Sequence, residues 1–180
     1  PAARHSLLID AGAQFRGYAS DITRTHASSP GLFRDLVREM DHAQQSLAAA
    51  VRPGVDWRDL HLTAHQLVAE VLKEAGILRI DPDEAVHNGL SDVFLPHGLG
   101  HLLGLQTHDV GGFRARPLEE PVPPPEGHHA LRLTRILEEG FVVTMEPGLY
   151  FIDLKLDGAR QGPMADAIDW RLVDALRPCG

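Results

Sequence analysis

Three histidines, His97, His101 and His108, fall within the segment 96–109, which reads Pro-His-Gly-Leu-Gly-His-Leu-Leu-Gly-Leu-Gln-Thr-His-Asp. Gly98, Gly100 and Gly104 stand between them. Each interior glycine would cost a helix roughly 1 kcal/mol relative to alanine, so an extended path is the better reading. That path puts residues 97, 99 and 101 on one face, and glycine lets another backbone or a ligand come close. Neutral imidazole is both a common metal ligand and a general base. The carboxylates that could join it lie at the ends of apolar runs. Asp10 closes Leu7-Leu8-Ile9, Asp21 follows the next turn, and Glu146 ends the run 141–145 and is fixed by Pro147-Gly148. An acid at the end of a buried strand needs a partner charge. Asp10, Asp21, His101 and Glu146 form an oxygen-rich set that suits Mn²⁺, Co²⁺ or Zn²⁺; structural zinc would favour cysteines. Three acids around one site can hold two divalent ions about 3.5–4 Å apart, and such a pair makes a nucleophile at neutral pH by lowering the pKa of bound water.

The elements that must position these groups follow from the pattern around them. Gly12 and Gly17 bracket residues 13–16, which predicts a hairpin with its turn near Phe15 to Gly17. Asp10 and Asp21 are about equally far from that turn, so the hairpin would set them across from each other. Ser28-Ser29-Pro30 signals a helix start. Leu32, Leu36, Met40, Ala43, Leu47 and Ala50 then recur at helical spacing, and Pro53-Gly54 ends that helix. Asp56 caps a second helix with an apolar stripe of Leu60, Ala64, Leu67, Val71 and Leu72, stopped by Gly76. His61 and His65 have the i, i+4 spacing of a zinc pair, but no acid stands between them, and they read as helix-surface residues. A short helix runs from Asp81-Pro82 towards Val93. Between Arg114 and His129, Pro117, Pro121 and Pro123-Pro124-Pro125 exclude a regular helix or a central strand. That stretch reads as a long loop, either a lid or a surface insertion. Asp109 reads as a loop residue. An extended stretch at 131–133, a turn at 137–140, a buried strand at 141–145 and a last short helix at 170–176 complete the order.

The 180 residues predict one α+β domain large enough for a sizeable core. A net charge of −8 argues against nucleic acid or an anionic membrane surface as the main partner. Cys179 is the single cysteine, which excludes an internal disulfide and favours a reducing, cytoplasmic setting. No apolar run reaches the roughly 18 residues needed to cross a bilayer.

The segments Ile9-Asp10-Ala11-Gly12, Asp21-Ile22-Thr23-Arg24-Thr25, 96–101, 104–109 and Thr144-Met145-Glu146-Pro147-Gly148 resemble, in order and spacing, the motifs of the pita-bread metallopeptidases (M24), and most closely the prolidases, or Xaa-Pro dipeptidases. The resemblance covers about residues 6–180. It implies a curved antiparallel sheet with helices packed on its outside. It implies that Asp10 holds the first metal, that Asp21 bridges both, and that His101 and Glu146 hold the second. His108 would sit by the scissile bond and His97 would face the substrate. Arg132 would take a dipeptide's C-terminal carboxylate through its planar fork. The implied reaction is hydrolysis of the bond before proline by a hydroxide bridging two divalent ions, with Mn²⁺ expected first and Co²⁺ or Zn²⁺ as alternatives. A homodimer is also implied.

The family has a further bridging glutamate in a Gly-x-Arg-x-Glu motif, which this sequence does not contain. Residues 1–180 are therefore expected to be part of a catalytic domain whose start, C-terminal end and preceding domain lie elsewhere in a longer protein. Those segments would be its partners at the site, and the 180 residues alone should bind two metals poorly. Rival readings are an aminopeptidase P, a methionine aminopeptidase, and a peptide-binding module of the same fold without catalysis.

Overall fold

The computed structural model describes residues 4–116 and 118–179. Pro117, which entered the sequence reading, lies outside them. The chain opens with β1 (Ser6–Ala11), β2 (Gln14–Phe15), β3 (Tyr18–Ala19) and β4 (Ile22–Ala27). β1 pairs antiparallel with β4 and β2 with β3. The two-residue turn between β2 and β3 is Arg16-Gly17, with φ of 52° and 90°. Positive φ at both central positions matches the twist of a hairpin. The register sets Asp10 opposite Thr23, so Asp21 is displaced by two residues rather than directly across. The pleat keeps both acids on one side, as diagonal neighbours. Leu7, Leu8 and Ile9 are each about half exposed, so the described residues do not cover this hairpin.

Helices supply the core. α1 (Leu32–Ala50) turns Leu36, Ala43 and Leu47 inward and packs on α2 (Trp57–Glu74) and β4. Its N-cap is Gly31 without a side-chain cap, not one of the serines. Asp56 caps α2, accepting from the Arg58 N–H at 2.9 Å. α2 is the central element: Trp57, Ala64, Val68 and Leu72 are fully buried, and each large side chain so buried contributes roughly 1.5–3 kcal/mol. The next helical stretch divides into α3 (Pro82–His87) and α4 (Ser91–Phe94), because Gly89 turns the chain at φ 71°. α5 (Asp153–Gln161) was not anticipated; its polar sequence buries only Leu156. α6 (Trp170–Leu176) is the expected last short helix.

Asp169 fastens α6 to the end of α2. It accepts from the Arg171 and Leu172 N–H groups, pairs with Arg79 at 3.0 Å, and its own N–H donates to the Ile77 carbonyl. Hydrogen bonds from the Arg171 and Arg79 guanidinium groups hold its carboxyl well below the usual carboxylate range. A depressed folded-state pKa gives stability that is present above the ordinary value of about 3.9 and lost as pH falls through the folded value. Asp169→Asn should therefore lower the melting temperature at pH 7, and the gap to wild type should start to narrow below about pH 4 and keep narrowing as the pH falls further. Paired thermal melts from pH 2 to 7 check this.

The fold is α+β, with helices against small antiparallel pieces. Among the described residues the broad curved sheet is represented by two two-stranded ladders and isolated bridges, including Leu102 to Val143. Residues 141–145 are not a buried strand: Val142 is 58% exposed, and Thr144 alone is buried.

Candidate active site

Two extended segments meet to build the site. The Leu103 N–H donates to the Val142 carbonyl, the Thr144 N–H to His101 and the Glu146 N–H to Leu99. The contact is close because residue 100 is glycine: a Cβ there would lie 2.2 Å from the Thr144 carbonyl oxygen. The histidine segment is not a regular strand. Leu99 turns into the core, whereas His97 and His101 line a cavity of about 240 Å³ with His108, Arg132, Glu146 and Tyr150. The hairpin is tied to this segment by the Ala19 N–H, which donates to the Gly104 carbonyl at 2.8 Å. Asp109 accepts from the Leu105 and Val110 N–H groups, which shapes the loop that carries His108.

His101 is 4% exposed, and its environment fixes its proton. Its Nδ1 lies 2.9 Å from the Leu102 carbonyl, which can only accept, so Nδ1 carries the hydrogen. In the neutral ring Nε2 then holds a lone pair. That atom lies 3.3 Å from Glu146 Oε1 and 3.5 Å from Asp21 Oδ2, and neither contact is a hydrogen bond. A buried lone pair facing two carboxylates is an arrangement that a cation relieves. Thr144 Oγ1 orients the set, accepting from the His101 N–H at 3.0 Å and donating to Glu146 Oε1 at 2.8 Å.

Asp10 is exposed on the hairpin, near enough for its charge to act on Tyr150. Burial, then Glu146 and Asp10, push the Tyr150 phenol above its ordinary value. The His108 ring stands 4.2 Å from that of His101. Desolvation, then the charges of His101 and Arg132, lower its pKa against the opposing pull of Glu146 and Asp21, which favours a neutral ring. His97 packs edge-on to Tyr150 at 4.9 Å, and its Nδ1 donates to the Gly98 carbonyl at 2.8 Å. Its Nε2 is buried without a hydrogen-bond partner. Leu131 and Leu133 are buried on either side of Arg132, and this alternation turns Arg132 outward to the cavity.

The structure thus brings together Asp21, His97, His101, His108, Arg132 and Glu146, with Asp10 at the edge. The sequence reading missed Tyr150 and Thr144. Tyr150, a polar aromatic four residues beyond Glu146, was the available signal. It also misplaced His61 and His65. They are 1% and 0% exposed, because α2 is enclosed on more than one side and has no open face at those positions.

Helices thus back a cavity lined by imidazoles, a carboxylate and one guanidinium. Residues 2–168 match the sequence profile of metallopeptidase family M24, and the chain belongs to that family. It is 50% identical over its whole length to a Xaa-Pro dipeptidase of Xanthomonas oryzae pv. oryzae and to one of Stenotrophomonas maltophilia, and 48% identical to one of Shewanella loihica. It spans 41% of the length of each of those relatives. Among solved structures, the zinc-substituted aminopeptidase P of E. coli in complex with product superposes with a TM-score of 0.66 at 33% identity, covering 81% of this chain and 30% of that one. No helix among the described residues is long and apolar enough to cross a membrane.

Proposed function

We propose that the protein containing this chain is a divalent-metal-dependent Xaa-Pro dipeptidase. The observation that carries the reading is the His101 Nε2 lone pair held between the Asp21 and Glu146 carboxylates. Asp10, Asp21, His101 and Glu146 would hold two ions, Mn²⁺ given the oxygen-rich donor set, with Co²⁺ or Zn²⁺ as substitutes. When bound, such ions polarise a carbonyl and activate water. The chain's own residues do the rest. Arg132 pairs with the substrate's C-terminal carboxylate, which selects a dipeptide. His97, with Nδ1 donating to the Gly98 carbonyl, lines the substrate side of the cavity. His108, kept neutral, can take or return a proton beside the scissile bond. Tyr150, held protonated, offers an O–H donor to the developing oxyanion. Other segments of the longer protein complete the site. The family resemblance supports a homodimer, and the single cysteine supports a cytoplasmic setting.

The test is Mn²⁺-dependent hydrolysis by the full-length protein of an Xaa-Pro dipeptide and an Xaa-Pro-Xaa tripeptide. Cleavage of the dipeptide alone is expected. Cleavage of the tripeptide alone would replace this reading with an aminopeptidase P, the activity named for the solved relative in E. coli. Arg132→Lys keeps the charge but loses the fork. One lost charge-assisted hydrogen bond of about 1.5–3 kcal/mol predicts a fall in kcat/KM of roughly ten- to hundredfold. The loss should appear mainly in KM, and a dipeptide amide should not discriminate between wild type and variant.

A further inference from the structure

Behind the wall of the cavity lies a second convergence that the dipeptidase reading does not use. His61 and His65 sit one turn apart on α2, and His128 arrives from the end of the proline-rich segment. One ring nitrogen of each lies within 4.8 Å of the others. The three rings meet edge to face at 4.6, 4.7 and 4.6 Å. Both nitrogens of His61 and Nε2 of His65 are buried without hydrogen-bond partners. Burial first, then the neighbouring imidazoles, keep the His61 pKa down at about 3 and that of His65 at about 4. Both rings are therefore neutral at pH 7 and each carries a lone pair. Ser91 Oγ engages His65 Nδ1 at 2.9 Å, which leaves Nε2 for the cluster. Asp92 adds a carboxylate, with Oδ1 3.4 Å from His128 Nδ1 and 3.9 Å from His65 Nε2.

We propose that His61, His65 and His128, with Asp92 as fourth donor, form a site for one Zn²⁺-class cation, separate from the Asp10, Asp21, His101 and Glu146 set. Three imidazoles and a carboxylate select Zn²⁺ or Co²⁺ over Mg²⁺ or Ca²⁺. Zinc–nitrogen bonds of about 2.0–2.1 Å at tetrahedral angles imply nitrogens about 3.3 Å apart, so the rings close by about an ångström. Four protein donors leave no open position, which makes the site structural. It would clamp the proline-rich segment to α2 at His128, just before Ala130 and Arg132, both of which line the cavity. His97 is close enough for its charge to act on His61 and His65, so the clamp backs the substrate wall.

The experiment uses the full-length protein carrying Asp10→Asn and Asp21→Asn, which removes the first metal set. After chelation, Zn²⁺ addition and gel filtration, elemental analysis should find about one equivalent of zinc per chain. Zn²⁺ should raise the melting temperature, and Co²⁺ should give the intense visible absorption of a tetrahedral ion. Adding His128→Gln, at a half-buried position, should weaken Zn²⁺ binding roughly tenfold or more and abolish both signatures. Asp92→Asn, nearer the surface, should weaken binding in the same direction and serves if the first substitution disturbs the fold. Zinc-free protein with an unchanged melt overturns the proposal. So does equal Zn²⁺ binding with and without either substitution.

Discussion

Asp21→Asn and Glu146→Gln in the full-length protein should each abolish Mn²⁺-dependent Xaa-Pro cleavage while leaving the metal-free fold as stable as before, or more so. The loss should exceed about a hundredfold, because even partners outside the ligand set typically cost 10–100-fold. The stability half of the expectation comes from His101. Its Nδ1 hydrogen is committed to the Leu102 carbonyl, so the Nε2 lone pair faces Asp21 Oδ2 and Glu146 Oε1 at 3.5 and 3.3 Å. Without a cation and with the ring neutral, the lone pair and the two carboxylates repel. An amide in place of either carboxylate removes a charge and can donate an N–H to Nε2. One such hydrogen bond, at about 1 kcal/mol, is a gain of about 2–4 °C for a domain of this size. Metal content, kcat/KM and the melting temperature of the chelated protein, measured side by side, separate the alternatives. A variant that keeps its metal and loses less than about tenfold in rate would end the ligand assignment. A large fall in the chelated melting temperature would mean that the carboxylates are there for the fold.

How much of this was legible in the sequence depended on the range of the forces involved. Local signals carried well: the Asp56 cap, the Arg16-Gly17 turn and the helix at Trp170–Leu176 rest on backbone preferences set within a few residues. The gathering of the candidate site was legible because its residues sit in short, ordered motifs that resemble those of a family. Long-range packing was not legible. The stripe on α2 read as one face, yet the helix is enclosed by α1, α3, α4 and the end of the proline-rich segment. His61 and His65 therefore lie inside, beside a residue 63 positions further along the chain from His65. The register between β1 and β4 is symmetric about Arg16-Gly17, so Asp10 pairs with Thr23; a turn centred one residue earlier, within the expected Phe15 to Gly17, had set Asp21 across from Asp10. α5 escaped notice because a helix that buries one leucine has almost no apolar period to read.

The same substitution, glycine to alanine, should have opposite effects at two positions. At Gly100 an added Cβ would lie 2.2 Å from the Thr144 carbonyl oxygen, 2.9 Å from its carbon and 3.0 Å from Oγ1. Two of those atoms are backbone, so no rotamer change relieves the contact. The segments must part by about an ångström, and the bonds between them are the ones that carry His101: its N–H to Thr144 Oγ1, and the Thr144 N–H to its carbonyl. Overpacking of this kind costs about 1–3 kcal/mol or more, so the melting temperature of Gly100→Ala should fall by several degrees. Activity should fall further than that loss of fold accounts for, since the shift acts directly on the His101 and Glu146 alignment and misplacement by about 1 Å can cost 10²-fold. At Gly158, inside α5 and exposed, an added Cβ meets nothing within 4 Å. There alanine removes the entropic penalty of a helical glycine, and Gly158→Ala should gain about 0.5–1 kcal/mol with an unchanged rate. Thermal melts and kcat/KM on both variants decide it. A Gly100→Ala protein with wild-type activity would mean that the two segments can separate without moving the ligands, and the close approach at residue 100 would no longer explain how the site is held.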